Sequence, residues 1–184
     1  MVGKGSQSVL ALRSPDPVLA AVGSVGLAAA AGTALVLDLA SPEVVPNRRT
    51  LRDLVVDGPS LDELSPTRSG VALIRGGGVD LGAAFGLIDR MRAHWPAIVV
   101  RVTDGTGPLP VVPVYPLYPG RLLPVDAPGH CVWQPVGTGA TPPGHGLVMP
   151  RLRPGALRQI LSLHLPRRCR WIASWSRVWE MPWA

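Results

Sequence analysis

Short apolar runs, rich in Val, Leu and Ile, recur along the first part of the chain. They predict β-strands at residues 8–13, 34–40, 71–75 and 97–102. The segments between them predict helices at residues 17–31, 50–57 and 81–94. Because strands that are apolar almost throughout suit a buried parallel sheet, the alternation predicts an α/β fold with a mostly parallel sheet and helices on both faces.

Local residues mark the ends of these helices. Asp16 before Pro17 predicts an N-cap followed by proline at the first helical position, and Gly32 is placed to end that helix. Thr50 and Asp53 have the spacing of a capping box. The predicted arrangement is a three-layer domain of the Rossmann or P-loop kind.

The character of the chain changes after Asp104. Residues 107–155 are crowded with Pro and Gly, which predicts an irregular extension along the surface with at most short edge strands, such as residues 111–115. We therefore expect an α/β domain over residues 1–106, the extension packed on it, and a basic, Trp-rich helical tail over residues 156–184.

Composition supports a globular chain, because 47% of its 184 residues are hydrophobic and only 16% are charged. All basic residues except Lys4 are Arg, a bias typical of GC-rich bacterial genomes. Cys131 and Cys169 are far apart in the sequence and lack the spacing of a zinc site, which favours a reducing cytosol. The N-terminus does not have the pattern of a secretory signal peptide, so a cytoplasmic protein is expected.

The net charge of +6 is concentrated at one end of the chain. Residues 151–184 contain seven Arg and one Glu, whereas residues 1–150 contain 11 basic and 11 acidic residues. An electrostatic partner is therefore expected to meet the C-terminal region.

The uncharged run at residues 17–37 has an alternative interpretation. Its 21 residues are long enough to span a bilayer, which would make the chain an integral membrane protein. The run is interrupted by Gly32 and Thr33 and passes into a β-branched stretch, so a buried helix followed by a strand is favoured.

The order and spacing of five segments resembles the N-terminal half of the ParA/MinD partition-type ATPases over residues 8–104. The segments are Val9-Leu-Ala-Leu, Ala34-Leu-Val-Leu-Asp38, Thr50-Leu-Arg-Asp-Leu, Gly70-Val-Ala-Leu-Ile-Arg and Trp95-Pro-Ala-Ile-Val-Val-Arg. In that family the first strand leads into a Gly-rich loop with a Lys, the second ends in an Asp, and a later strand ends in an Asp that serves magnesium. The resemblance matches only the second of these features, as Asp38.

Two replacements make the chain resemble a degenerate member, a pseudo-ATPase. The loop is Ser14-Pro-Asp-Pro-Val18, where two prolines remove amide donors and Asp16 repels phosphate. Arg101 stands where the resemblance implies the magnesium-serving Asp, and a guanidinium cannot bind Mg²⁺. No G-x-x-x-x-G-K-[ST] sequence occurs in the chain. We expect no catalytic residue, no metal site and no cofactor.

Candidate ligand-binding residues lie where the predicted strands end. They are Asp38, Arg75, Gly76, Gly77 and Arg101. Asp38 is more simply interpreted as a carboxylate that caps the next loop, and the glycines as a tight turn. Cys131 with His130 and His145 suggests a Cys/His pair or half a metal site, although isolated His and Cys residues are usually structural.

The tail carries Trp at positions 171, 175, 179 and 183, a spacing that stacks the first three on one side of a helix. This stripe is interpreted as a final core helix, as an interfacial helix on anionic lipid, or as an anchor in a groove of a partner protein. Some members of the family that the chain resembles carry a C-terminal membrane-targeting helix.

Together these observations predict a non-catalytic regulatory or scaffold protein that binds a protein partner or an anionic membrane surface through its tail. The predicted contact residues are Arg167, Arg168, Arg170, Trp171, Trp175, Arg177 and Trp179. Peripheral association with the inner face of the membrane and a homodimer are further candidates, and nucleic acid is disfavoured because no recognition motif accompanies the basic charge. The alternative is an enzyme that acts on a small substrate at the strand ends, with Asp38 and residues of the extension.

Overall fold

One parallel sheet runs through the molecule, in the order β3-β2-β4-β1-β5-β6-β7. The strands are β1 (Val9–Arg13), β2 (Ala34–Asp38), β3 (Val71–Arg75), β4 (Ile98–Arg101), β5 (Val111–Leu117), β6 (Val132–Pro135) and β7 (Leu147–Val148). The computed structural model describes residues 8–42, 48–66, 70–104, 107–121, 124, 127–141, 144–166 and 168–183. The predicted α/β class with a parallel sheet is confirmed.

Helices cover both faces of the sheet. They are α1 (Pro17–Ala30), α2 (Leu51–Asp57), α3 (Leu61–Leu64), α4 (Leu81–Arg92), α5 (Pro154–Leu161), α6 (Arg170–Ser174) and α7 (Ser176–Glu180). The predicted caps are confirmed, because Asp16 accepts a hydrogen bond from the Leu19 amide and Thr50 forms a capping box with Asp53.

The alternation of side chains along β1 shows how the two faces are divided. Leu10 and Leu12 point to the side covered by α1 and the C-terminal helices, whereas Val9 and Ala11 point to the side covered by α2 and α4. All four side chains are buried, so the sheet is the middle of three layers.

The expectation that residues 107–155 form at most short edge strands is wrong. β5 lies inside the sheet between β1 and β6, and β6 and β7 extend the same sheet beyond the predicted boundary at residue 106. A proline removes one ladder hydrogen bond, worth about 1 kcal/mol net. Val112 and Val114 are fully buried, and burial of one such side chain stabilises by roughly 1.5–3 kcal/mol. Burial therefore outweighs the missing donors of Pro113 and Pro116.

The uncharged run at residues 17–37 is not one helix. α1 ends at Ala30, and Ala34–Asp38 forms a central strand of the sheet. In the part of the chain that the structure describes, no helix is long and apolar enough to cross a membrane. The favoured interpretation of this run, a buried helix followed by a strand, is confirmed.

The tail forms two short helices, α6 and α7, joined at Trp175, in place of the single predicted helix. The rings of Trp171 and Trp175 pack on α1, where Gly26 makes room for them. A Cβ added at Gly26 would lie 2.7 Å from Cη2 of Trp171 and 2.9 Å from Nε1 of Trp175. The tail is therefore part of the core of this domain.

Candidate functional site

The carboxyl ends of β2 and β4 bring Asp38 and Arg101 together. The two residues are paired in the parallel register of these strands, so their side chains leave the sheet at the same edge. Arg101 Nη1 donates to both carboxylate oxygens of Asp38, at 3.2 Å to Oδ1 and 3.0 Å to Oδ2. Each side chain is only 13% exposed, so this ion pair is largely shielded from water.

Arg101 also holds the start of α1. Its Nη2 donates to the carbonyl oxygen of Pro17 at 3.2 Å. Its Nε is buried and has no hydrogen-bond partner among the described residues. The guanidinium therefore connects the end of β2 to the first residue of α1, and both of its terminal nitrogens donate hydrogen bonds within the chain.

The N-terminus of α1 carries a negative charge of its own. Asp16 Oδ1 accepts from the Leu19 amide at 2.9 Å, and the Asp16 amide donates to Ser14 Oγ at 3.2 Å. The hydroxyl of Tyr118 donates to Asp16 Oδ2 at 3.3 Å. Because the Asp16 carboxylate caps the helix at the point where an incoming anion would bind, this end is unfavourable for phosphate.

The glycines after β3 are explained by close packing. A Cβ added at Gly76 would lie 2.9 Å from the Asp38 carbonyl oxygen, and the Gly76 amide donates to that oxygen at 2.8 Å. Gly77 has a φ of 65°, and a Cβ there would lie 2.5 Å from Thr50 Oγ1. Both glycines are buried, which supports the tight turn. Because the Gly76 amide already donates to Asp38, it is not free to donate to a ligand.

A cleft of about 400 Å³ opens at this strand edge. Its lining includes Asp38, Arg75 and Arg101 from the sheet, Leu161 at the end of α5 and Leu163 just after that helix. Leu163 has a φ of 58°, a left-handed conformation that is strained for leucine. The enzyme alternative expects residues of the extension at 107–155 beside Asp38, but the lining contains no described residue of that segment.

Cys131 does not have the properties of a nucleophile. Its side chain is fully buried, and burial raises the pKa of the thiol from 9.0 to about 11. The ring of His145 packs edge-on against Trp133, with centroids 5.8 Å apart, and His130 is exposed. Within the described ranges no group of three or more His, Cys, Asp and Glu residues could hold a metal ion.

The predicted contact residues of the tail divide into two sets. Trp171 and Trp175 are buried in the core, and the Trp179 indole donates to the Leu27 carbonyl oxygen at 2.9 Å. These rings therefore form no exposed aromatic face. Arg168, Arg170 and Arg177 are exposed, and Arg167 lies outside the described residues.

Two arginines that the tail pattern does not predict as contact residues join this exposed set. Arg151 and Arg153 precede α5 and line a cleft of about 720 Å³ together with Arg168 and Arg170 of the tail. Both residues contribute to the net charge of the C-terminal region, which is visible in the sequence. The position of Arg151 and Arg153 opposite the tail cannot be read from the sequence, because it depends on how the two segments fold together.

Comparisons of the chain with protein-family models, with curated proteins and with solved structures found no match in any of the three.

Proposed function

We propose that the chain is a non-catalytic regulatory or scaffold protein, built on a degenerate partition-ATPase-like domain, that binds a protein partner through the arginines of its C-terminal region. The observation that carries the proposal is the position of Arg101. Its guanidinium bridges Asp38 and the Pro17 carbonyl oxygen, in the place where the resemblance implies a magnesium ion beside the phosphates.

Electrostatics support the absence of nucleotide hydrolysis. Mg²⁺ requires oxygen ligands, and both oxygens of Asp38 already accept from Arg101. A divalent cation would also meet the positive charge of the guanidinium at close range. The Asp16 carboxylate, which caps α1, repels the phosphates that such an ion would accompany.

Burial of the tryptophans favours a protein partner over a membrane. An interfacial helix must place aromatic side chains in the lipid, but Trp171 is 2% exposed and Trp175 is fully buried within the domain. The accessible feature of the C-terminal region is its positive charge, and arginine is a frequent anchor in protein interfaces. Charge complementarity thus favours a partner with an acidic surface.

The first test is MgATP binding and turnover by the purified full chain. We expect no saturable heat in isothermal titration calorimetry and no phosphate release above a buffer blank. Turnover that Asp38→Ala abolishes would refute the non-catalytic assignment. An arginine substitution outside this edge, Arg158→Gln, is the matched control, because it removes one exposed positive charge and leaves the Asp38–Arg101 pair intact.

The second candidate function is an enzyme that acts on a small substrate. The 400 Å³ cleft brings Asp38, Arg75 and Arg101 into one concave site, which is the specific observation in favour of a small-molecule substrate. Two contacts argue against a small-molecule substrate. Asp38 forms an ion pair with Arg101, and the hydroxyl of Ser24 in the lining donates to the Ala20 carbonyl oxygen at 2.9 Å. Neither side chain is therefore free to act as a base or nucleophile.

A further inference from the structure

Two walls of a single cleft each present a pair of arginines. One wall lies within residues 150–156, with Arg151 and Arg153, and the other consists of Pro166 and residues 168–171, with Arg168 and Arg170. We call the space between them the arginine cleft, defined by these four residues. Its volume is about 720 Å³, against about 400 Å³ for the cleft at the strand edge.

The two walls are fixed to each other by one buried side chain. Gln134 of β6 is 3% exposed, and its Oε1 accepts from Trp171 Nε1 at 2.6 Å. Its Nε2 donates to the carbonyl oxygen of Pro150 at 3.2 Å. Because Gln134 binds one wall through each end of its amide, the cleft is held at a defined width before any ligand arrives.

The charge of the cleft is uncompensated by the described part of the chain. All four arginines are exposed, and none of their guanidinium groups forms a hydrogen bond or ion pair with a described residue. The described lining contains no Asp or Glu. Positive charges gathered in a concavity with low-dielectric walls attract anions more strongly than the same charges on a convex surface.

We infer that the arginine cleft binds an acidic peptide segment of a partner protein. Arginine pairs with carboxylates through two parallel hydrogen bonds, so two facing pairs can bind several acidic side chains of one extended segment. Pro150, Leu152 and Pro166 add apolar surface between them, which suits hydrophobic residues interspersed among the acids.

The lining argues against nucleic acid and lipid in the same place. Single-stranded nucleic acid requires exposed aromatic faces for stacking, and the aromatic residue of the lining, Trp171, is 2% exposed. Duplex binding requires a long basic stripe, whereas residues 1–150 carry no net charge. A membrane surface cannot enter a concave cleft as readily as a flexible peptide can.

The test is fluorescence anisotropy of the full chain with a labelled peptide of about eight residues that alternates Glu and Leu. A peptide with Gln in place of Glu is the ligand control. Arg151→Gln/Arg153→Gln and Arg168→Gln/Arg170→Gln each remove one wall's charges, and each is expected to weaken binding by about tenfold or more. Arg158→Gln/Arg177→Gln removes the same net charge outside the lining and should weaken it by less than about twofold.

Three results would overturn the inference. Equal weakening by the control pair would show that the whole field of the C-terminal region attracts the peptide. Equal binding of the Gln peptide would exclude carboxylate recognition. Tighter binding, at matched salt, of a thymidine oligonucleotide or of phosphatidylserine vesicles would assign the cleft to nucleic acid or membrane.

Cys169 provides a second readout that does not depend on the variants. It lies half-buried in the lining of the cleft, whereas Cys131 is fully buried elsewhere. The Glu/Leu peptide should slow alkylation of Cys169 by neutral iodoacetamide, and the Gln peptide should not. Unchanged alkylation under saturating peptide would place the binding site outside the arginine cleft.

This inference rests on the proposed function in taking the C-terminal region as the binding surface. The two proposals fail separately. MgATP turnover would refute the non-catalytic function and leave the cleft intact. Peptide binding that depends on Arg177 and not on Arg168 would refute the cleft and leave a scaffold function in place.

Discussion

Arginine occupies two opposite environments in this molecule. At the strand edge, Arg101 is 13% exposed, and its terminal nitrogens bind Asp38 and the Pro17 carbonyl oxygen. In the arginine cleft, all four arginines are exposed and form no ion pair with a described residue. The same side chain thus fixes the fold in one region and remains ready to bind a ligand in the other.

The contrast shows why net charge alone does not locate a binding surface. Burial makes Arg101 costly to remove, because its loss leaves a shielded carboxylate without a counter-ion. Exposure makes the arginines of the cleft easy to replace and their mutual repulsion small. Substitutions should therefore change stability in one region and binding in the other.

The largest expected effect is on the Asp38–Arg101 pair. Arg101→Met leaves the Asp38 carboxylate in a largely shielded site without its partner. We expect the free energy of unfolding to fall by about 3 kcal/mol, measured by urea denaturation at pH 7.

The double variant Asp38→Leu/Arg101→Met is the control for that prediction. Replacement of both partners by apolar side chains should recover most of the loss, since no charge then remains buried. A single variant as stable as the unmodified chain would mean that the pair is solvated. Arg101 would then not differ in its environment from the exposed arginines of the cleft.

A second prediction concerns the packing of the tail on α1, where the free energy of unfolding should fall by about 1–3 kcal/mol. Gly26→Ala places a Cβ within 3 Å of the Trp171 and Trp175 rings, which must shift. Gly86→Ala is the matched control, because Gly86 is an exposed glycine of α4 with no atom near its added Cβ. The control should stabilise by about 0.5–1 kcal/mol through helix propensity. Destabilisation of equal size in both variants would contradict close packing at Gly26.

The packing of the tail on α1 also shows what a local sequence pattern cannot decide. The spacing of four between tryptophans predicts that the first three share one side of a helix, and the rings of Trp171 and Trp175 do pack together. Whether that side meets lipid, a partner or the domain depends on the space that Gly26 leaves on α1, far away in the sequence. The Trp stripe carries no information about this glycine, so its three interpretations could not be separated.

The strands divide in the same way between local and long-range causes. β1 to β4 are predictable, because continuous apolar runs and flanking caps are local signals. β5 is not, because Pro113 and Pro116 argue against an inner strand while the burial of Val112 and Val114 depends on partners elsewhere in the sheet. The register that places Arg101 beside Asp38 likewise exists only in the assembled sheet.

A third prediction compares a thiol of the interior with one of the cleft. Burial raises the pKa of Cys131 from 9.0 to about 11, so the folded state favours the protonated thiol. The stability that this group contributes is therefore fully present below pH 9 and is lost as the pH rises through 11. Urea denaturation between about pH 8 and 10 should show a loss of stability that is smaller in Cys131→Ala. An identical pH slope in both chains would assign the loss to other groups, and Cys169→Ala is the control.

The smallest expected change in stability is in the arginine cleft itself. Arg151→Gln/Arg153→Gln removes two exposed charges that have no ion-pair partner among the described residues. The free energy of unfolding should therefore change by less than about 0.5 kcal/mol in low salt. A slight gain is expected, since relief of like-charge repulsion favours the folded state, and added salt should erase it. If this pair destabilised the chain as much as Arg101→Met, the cleft arginines would be structural. The contrast that assigns binding to one region and folding to the other would then fail.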